Sequence, residues 1–387
     1  MVSFGTNADP RPSLLKIACI YFAYCASNWI WRRLFKIRYE PGENVKISEL
    51  LRVWASILSG RTPAISIELT RECPLRCPGC YAYEEGHLGL PGITLRQLAD
   101  YKGSELVQGA LRLIEEHRPL HVSLVGGDPL VRYRELEELL PELDRRGIPV
   151  LLVTSAFRPI PVHWNELSLL SVAVSVDGLQ PEHDARRKPA TYERILKNVA
   201  GTKVTIHCTV TGQMMERPDY LEDFVRFWSA RDVTKRIWFS LFTPQQGAVA
   251  PEILTPDQRR RVIEELLRLR VLYPLINVDE RTIDEFRHPP ASPKDCIFAR
   301  TTLTVSADLK TRITPCQFGG TPDCSQCGCF ASMGLAAIGH LRVMPGVSAG
   351  QLFAISALIG NGVNRLRSLR DPQDSIEYPE TVEDQVA

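Results

Sequence analysis

The chain has 387 residues, 46 basic and 45 acidic, for a net charge of +1. That length holds a core domain of about 200–250 residues with flanking modules, and the balanced charge excludes the strongly basic surface of a nucleic-acid binder. Of eleven cysteines, eight fall in two tight groups rather than in a disulfide-like pattern; thiolates free to bind metal need a reducing compartment, so a cytoplasmic location is expected.

In chain order, the first feature is Leu14–Phe35, apolar and aromatic, with a clean run at Ile17–Ala26. The run is about half the length of a membrane span, and it lacks the basic flank and cleavage site of a signal peptide. Trp29, Trp31, Arg32, Arg33, Lys36 and Arg38 follow, a mixture suited to a membrane interface. Residues 1–60 are expected to form a helical extension, either packed on the core domain or lying on the inner face of a membrane. Cys19, Cys25 and Cys208 stand in apolar contexts and read as buried free thiols.

The alternating run Ile65–Thr70 predicts a strand. It leads into Cys73-Pro-Leu-Arg-Cys77-Pro-Gly-Cys80. Three thiolates so close suit three corners of a [4Fe–4S] cluster, which usually has four cysteine ligands; a missing fourth leaves one iron open. A zinc knuckle would instead want paired CxxC elements and four ligands. A second strand, His121–Val125, runs directly into Gly126-Gly127-Asp128-Pro129.

These two segments, each following a strand, resemble the radical S-adenosylmethionine (SAM) enzymes. The resemblance implies that Cys73, Cys77 and Cys80 hold the cluster, that SAM chelates its fourth iron, and that Gly126, Gly127, Asp128 and Pro129 contact the methionyl amine. The residue before the third cysteine is often aromatic in that family. Here it is Gly79, so the ring beside the adenine is expected from Tyr81 or from elsewhere.

Further strands are predicted at 149–154, 171–177, 203–210 and 236–242, with amphipathic helices at Glu135–Arg146, Asp219–Ala230 and 255–273. Near-continuous apolar strands alternating with helices argue for a parallel α/β sheet with right-handed crossovers. The resemblance makes this a partial (β/α)6 TIM-type barrel, over residues 61–250. Function in such barrels sits at the C-terminal strand ends, which here carry Thr154, Ser155, Ser175, Asp177, Thr209 and Thr211. The resemblance implies that Ser175 and Arg187 help hold SAM's ribose and carboxylate, with Arg186 as the alternative arginine; a guanidinium fork suits a carboxylate.

After a linker region, 251–290, come Cys296, Cys316, Cys324, Cys327 and Cys329. A hairpin is expected between the first two, with arms Thr301–Val305 and Thr311–Thr314. Residues 291–335 are similar to the SPASM or twitch modules that carry an auxiliary [4Fe–4S] cluster. The usual turn glycine is replaced by Ala307-Asp308-Leu309. Ligation by Cys296, Cys316, Cys324 and Cys327 is expected, with Cys329 able to displace one of them; zinc remains open as the metal. Residues 336–370 read as an apolar helical segment and 371–387 as a disordered tail.

The expected function is reductive cleavage of SAM to a 5′-deoxyadenosyl radical that abstracts hydrogen from a C–H bond of a peptide or protein. The alternatives are radical modification of a membrane lipid chain, or a non-catalytic Fe–S electron carrier or zinc-stabilised binding protein. A reducing donor such as flavodoxin or ferredoxin is an expected partner, and a membrane surface a further one for a lipid substrate; nucleic acid is not.

Overall fold

The computed structural model describes residues 47–370, apart from 81, 83–85, 89–91 and 345. The apolar N-terminal segment, Tyr81 and the tail after 370 lie outside the described residues. Seven strands form one sheet: β1 (Ala64–Glu68), β2 (His121–Val125), β3 (Val150–Thr154), β4 (Leu170–Ser175), β5 (Val204–Val210), β6 (Thr234–Leu241) and β7 (Thr302–Val305). Every pairing in it is parallel, in the spatial order β6-β5-β4-β3-β2-β1-β7. The sheet is open, with β6 and β7 as its two edges. The α/β architecture is the expected one, its first six strands standing side by side in chain order.

The helices are α1 (Ile47–Leu58), α2 (Gly103–His117), α3 (Tyr133–Arg145), α4 (Gln180–Arg186), α5 (Tyr192–Asn198), α6 (Tyr220–Ser229), α7 (Pro256–Leu272), α8 (Glu280–Asp284), α9 (Ile297–Thr301), α10 (Phe330–Gly339) and α11 (Ala349–Arg370). Their apolar residues recur at helical spacing, as in Leu106, Ala110, Leu113 and Ile114 of α2 and Leu136, Leu139, Leu140 and Leu143 of α3. Those stripes bury against Ile65, Ile67, Val122, Leu124 and Leu152 of the sheet, and burial of each such side chain stabilises the fold by about 1.5–3 kcal/mol. Among the described residues no helix is long and apolar enough to cross a membrane.

The expected hairpin between Cys296 and Cys316 forms, with Ser306 N–H donating to Thr311 O (2.8 Å) and Ile313 N–H to Thr304 O (2.9 Å), and its first arm also joins the sheet. Thr302–Val305 pairs with β1 in parallel, from Ala64↔Thr302 to Ile67↔Val305. The returning arm makes one antiparallel bridge, Val305↔Arg312. The physical reason is the exposed edge of β1, whose unpaired backbone groups the strand satisfies. The turn works without glycine because Asp308 accepts from the N–H groups of Lys310 and Thr311. Leu309 takes the left-handed conformation, φ 57°, and packs on the core.

Candidate active site at the strand ends

The loop after β1 is bolted to the turn after β2. Their pairing continues past the strand ends: Leu69 N–H donates to Val125 O (2.9 Å), Gly127 N–H to Thr70 O (2.7 Å) and Asp128 N–H to Glu72 O (3.0 Å). A Cβ on Gly126 would lie 2.7 Å from Thr70 O, and one on Gly127 only 2.1 Å from Glu72 O. The two glycines are therefore required by the close approach of two backbones. From the side, the buried Arg132 donates to Glu72 Oε2 (3.1 Å) and pairs with Asp100 (3.0 Å). Its guanidinium holds the Glu72 carboxyl well below the usual carboxylate range. Thr70 Oγ1 donates to Asp100 and accepts from the Glu72 N–H. Residues 70–72, immediately before Cys73, are thus fixed on both sides.

Cys73, Cys77 and Cys80 are half-buried. Burial pushes the Cys73 thiol up to about 12, and it raises that of Cys77, which Arg187 partly offsets. A bound cation reverses that balance, because a coordinating thiol is deprotonated outright. Three thiols on one braced loop at the C-terminal edge of the sheet fit a cluster held by three cysteines.

The other expected residues gather around this loop. Asp128 is buried and accepts four hydrogen bonds. Thr154 Oγ1 (2.7 Å) and Leu130 N–H (3.1 Å) donate to Oδ1; Ser155 N–H (2.9 Å) and Oγ (2.5 Å) donate to Oδ2. Pro129 opens the 3-10 turn that Asp128 caps. Ser175 ends β4 in register with His207 of β5. Arg187 folds back on Asp177, with Nε 2.8 Å from Oδ2 and Nη2 3.3 Å from Oδ1. Arg186 also faces Asp177, with Nε 3.5 Å from Oδ2, while Nη2 donates to Pro78 O (3.3 Å) and Nη1 to Glu252 (2.6 Å). Sequence reasoning missed Phe242, which follows β6 and lies against Gly79, where a Cβ would stand 3.2 Å from its ring. It also missed His207, bonded to Ser240 Oγ at 2.8 Å, whose burial lowers its pKa to about 4. Strand alternation would have placed His207 on the same face as Thr209.

The five C-terminal cysteines come together. Cys296, Cys316, Cys324, Cys327 and Cys329 line one pocket with Phe298 and Gln317. Burial pushes Cys316 up to about 12 and Cys324 up to about 11. Cys329 is the most enclosed and accepts from Gln317 Nε2 (3.1 Å); Cys296 Sγ lies 3.1 Å from Ser332 Oγ. Arg259 of α7 clasps the Cys324–Cys327 turn, donating to Gln326 O (3.0 Å), Cys327 O (2.6 Å) and, behind it, Phe286 O (2.8 Å). Gly328 pairs with the end of β6, accepting from Leu241 N–H (2.9 Å), and Phe330 stacks on Trp238 at 5.2 Å. Among the described residues no group of three His, Cys, Asp or Glu side chains stands as a single-ion site. The donor set itself, five thiols on one pocket wall, fits an iron–sulfur cluster.

With the three-cysteine loop locked to the Gly-Gly-Asp-Pro turn at the strand ends, residues 67–227 match the radical SAM superfamily. A stretch of 122 residues is 30% identical to the PqqA peptide cyclase of Rhizobium meliloti (strain 1021). That stretch spans 31% of this chain and 30% of the cyclase. Among solved structures, Streptococcus suis SuiB bound to its precursor peptide SuiA is 14% identical, with a TM-score of 0.49 over 88% of this chain and 84% of that one. The enzyme anSMEcpe with bound AdoMet is 14% identical, with a TM-score of 0.46 over 66% and 74%.

Proposed function

We propose that this protein is a radical SAM enzyme that abstracts hydrogen from an unactivated C–H bond of a peptide or protein. The observation that carries this is the braced loop of Cys73, Cys77 and Cys80, held by backbone bonds to Gly126–Asp128. Bound together, a [4Fe–4S] cluster and SAM supply one-electron reductive cleavage of the sulfonium, giving methionine and a 5′-deoxyadenosyl radical. The chain's own residues hold and enclose that pair. Cys73, Cys77 and Cys80 are the ligands, and the Gly126–Pro129 turn frames the methionyl end. Ser175 and an arginine serve the ribose and carboxylate. Arg187 is the arginine for that role and Arg186 its alternative; both face Asp177, and Arg186 also holds Glu252. Phe242, packed on Gly79, offers the flat apolar wall beside the loop. Cys296, Cys316, Cys324 and Cys327, with Cys329 as alternate, hold an auxiliary [4Fe–4S] cluster. A low-potential donor such as flavodoxin or ferredoxin supplies the electron.

The peptide substrate is supported by the likeness to PqqA peptide cyclase. A second reading, a lipid substrate met at a membrane surface, is favoured by Ile355, Leu358 and Ile359, exposed on α11.

Anaerobic reconstitution tests the proposal. The protein should bind roughly eight irons, two four-iron clusters, and release 5′-deoxyadenosine from SAM under reductant. Replacing Cys73, Cys77 and Cys80 by Ala should halve the iron and abolish that release. Four irons with one zinc in the unmutated protein would make the C-terminal site structural. Retention on anionic vesicles, lost on deleting residues 1–36 while SAM cleavage persists, would favour the lipid; indifference to vesicles would favour the peptide.

A further inference from the structure

The two cysteine regions share a wall. Ala82, Leu88 and Leu95, from the segment after Cys80, bury against Ile313, and Cys80 packs on the same cluster. Across this wall runs a polar chain. Glu68, the last residue of β1, is buried, and so is His87. Their side chains meet at 2.9 Å through His87 Nε2 and Glu68 Oε1. Ser306 Oγ, just past β7, donates to Glu68 Oε2 at 2.9 Å. On its other side the ring presents Nδ1 to Phe318 O at 3.2 Å. A carbonyl can only accept, so Nδ1 carries a hydrogen; the Nε2–Oε1 contact then holds one further proton between ring and carboxyl. Phe318 lies in the turn that starts at Cys316, which Gly319 closes by donating its N–H to Cys316 O at 2.9 Å. Gly319, at φ 62°, lets the backbones meet: a Cβ there would lie 1.6 Å from His87 O.

We propose that His87, anchored by Glu68, is a positioning residue for the auxiliary cluster: it fixes Phe318, and with it the turn that carries Cys316. This rests on the assignment of that cluster under Proposed function. The residue belongs to the loop of the first cysteine group yet acts on a ligand of the second. Hydrogen bonds to cluster sulfurs are among the determinants of reduction potential, and partners behind the ligands tune the metal.

The test is potentiometric titration of the full-length, reconstituted protein, following each cluster by electron paramagnetic resonance. In His87→Ala the iron content should stay near the wild-type value. The auxiliary potential should shift and the first cluster's should not move. His87→Asn, which places an amide N–H where Nδ1 stands, should restore the potential; His87→Gln, which reaches only toward Glu68, should not. Unchanged auxiliary potential in His87→Ala, with iron retained, would overturn the inference alone. Should His87→Ala fail to load, His87→Asn and His87→Gln decide: equal potentials in the two overturn it. Zinc in place of the second cluster in the wild type would instead overturn the function on which the inference stands.

Discussion

Asp128 shows how a motif residue acquires a role that its motif does not state. A carboxylate has about four lone-pair positions, and Thr154, Ser155 (twice) and Leu130 occupy them. Its plain work is to tie the turn after β2 to the end of β3. Asp128→Ala should leave buried donors orphaned, each costing about 1–3 kcal/mol, and lower the urea midpoint of the apo protein. Asp128→Asn, which keeps one accepting oxygen, should fall between. SAM affinity should fall in step with stability. A variant that unfolds at the wild-type midpoint yet no longer binds SAM would place Asp128 on the ligand itself. Thr154 and Ser155 are legible in sequence only as strand-end residues; their bonds to Asp128 cross 26 and 27 positions. Arg186 and Arg187 are likewise neighbours in sequence, and only the fold shows both facing Asp177, with Arg186 also reaching Pro78 and Glu252.

At the scale of elements, the first six strands were readable because each is a local apolar run that a parallel sheet buries on both faces. The cysteine loops were readable because their spacing is local too. What holds those loops was not. Arg259 lies in a helix whose sequence shows only a basic start, yet it donates to three backbone carbonyls 27, 67 and 68 residues onward. Arg259→Ala should free the Cys324–Cys327 turn and cost the auxiliary site its iron, leaving about four irons per chain at the first site. Iron analysis with the spectrum of the remaining cluster checks this. A full complement of iron in the variant would show that the cysteines need no clasp.

For the molecule as a whole, the C-terminal region is no detachable module. Through β7 it completes the sheet at β1, and through Ser306 it satisfies the buried Glu68. A chain ending at residue 290 would retain residues 67–227, which match the radical SAM superfamily, but with the β1 edge bare and Glu68 short of a donor. Bare edges template association, so the truncated protein should sediment as aggregate and the full chain as one discrete species. A well-behaved fragment that still cleaves SAM would show the seam to be dispensable. No local pattern could reveal this seam, since Thr302–Val305 reads equally as hairpin arm or sheet edge, and its partner strand lies near the other end of the described chain.

The seam also sets an order of events in time. Glu68 and Ser306 are 238 residues apart, and contacts of such separation form late because loop closure must precede their reward. During synthesis, β1 and the Cys73–Cys80 loop emerge long before the strand that will flank them. The cysteine loop therefore stands open on that side while most of the chain is still being made, an interval in which iron and sulfide can be delivered to it. Closure by β7 and the His87 contact with Phe318 can follow only once residues 302–318 have been made.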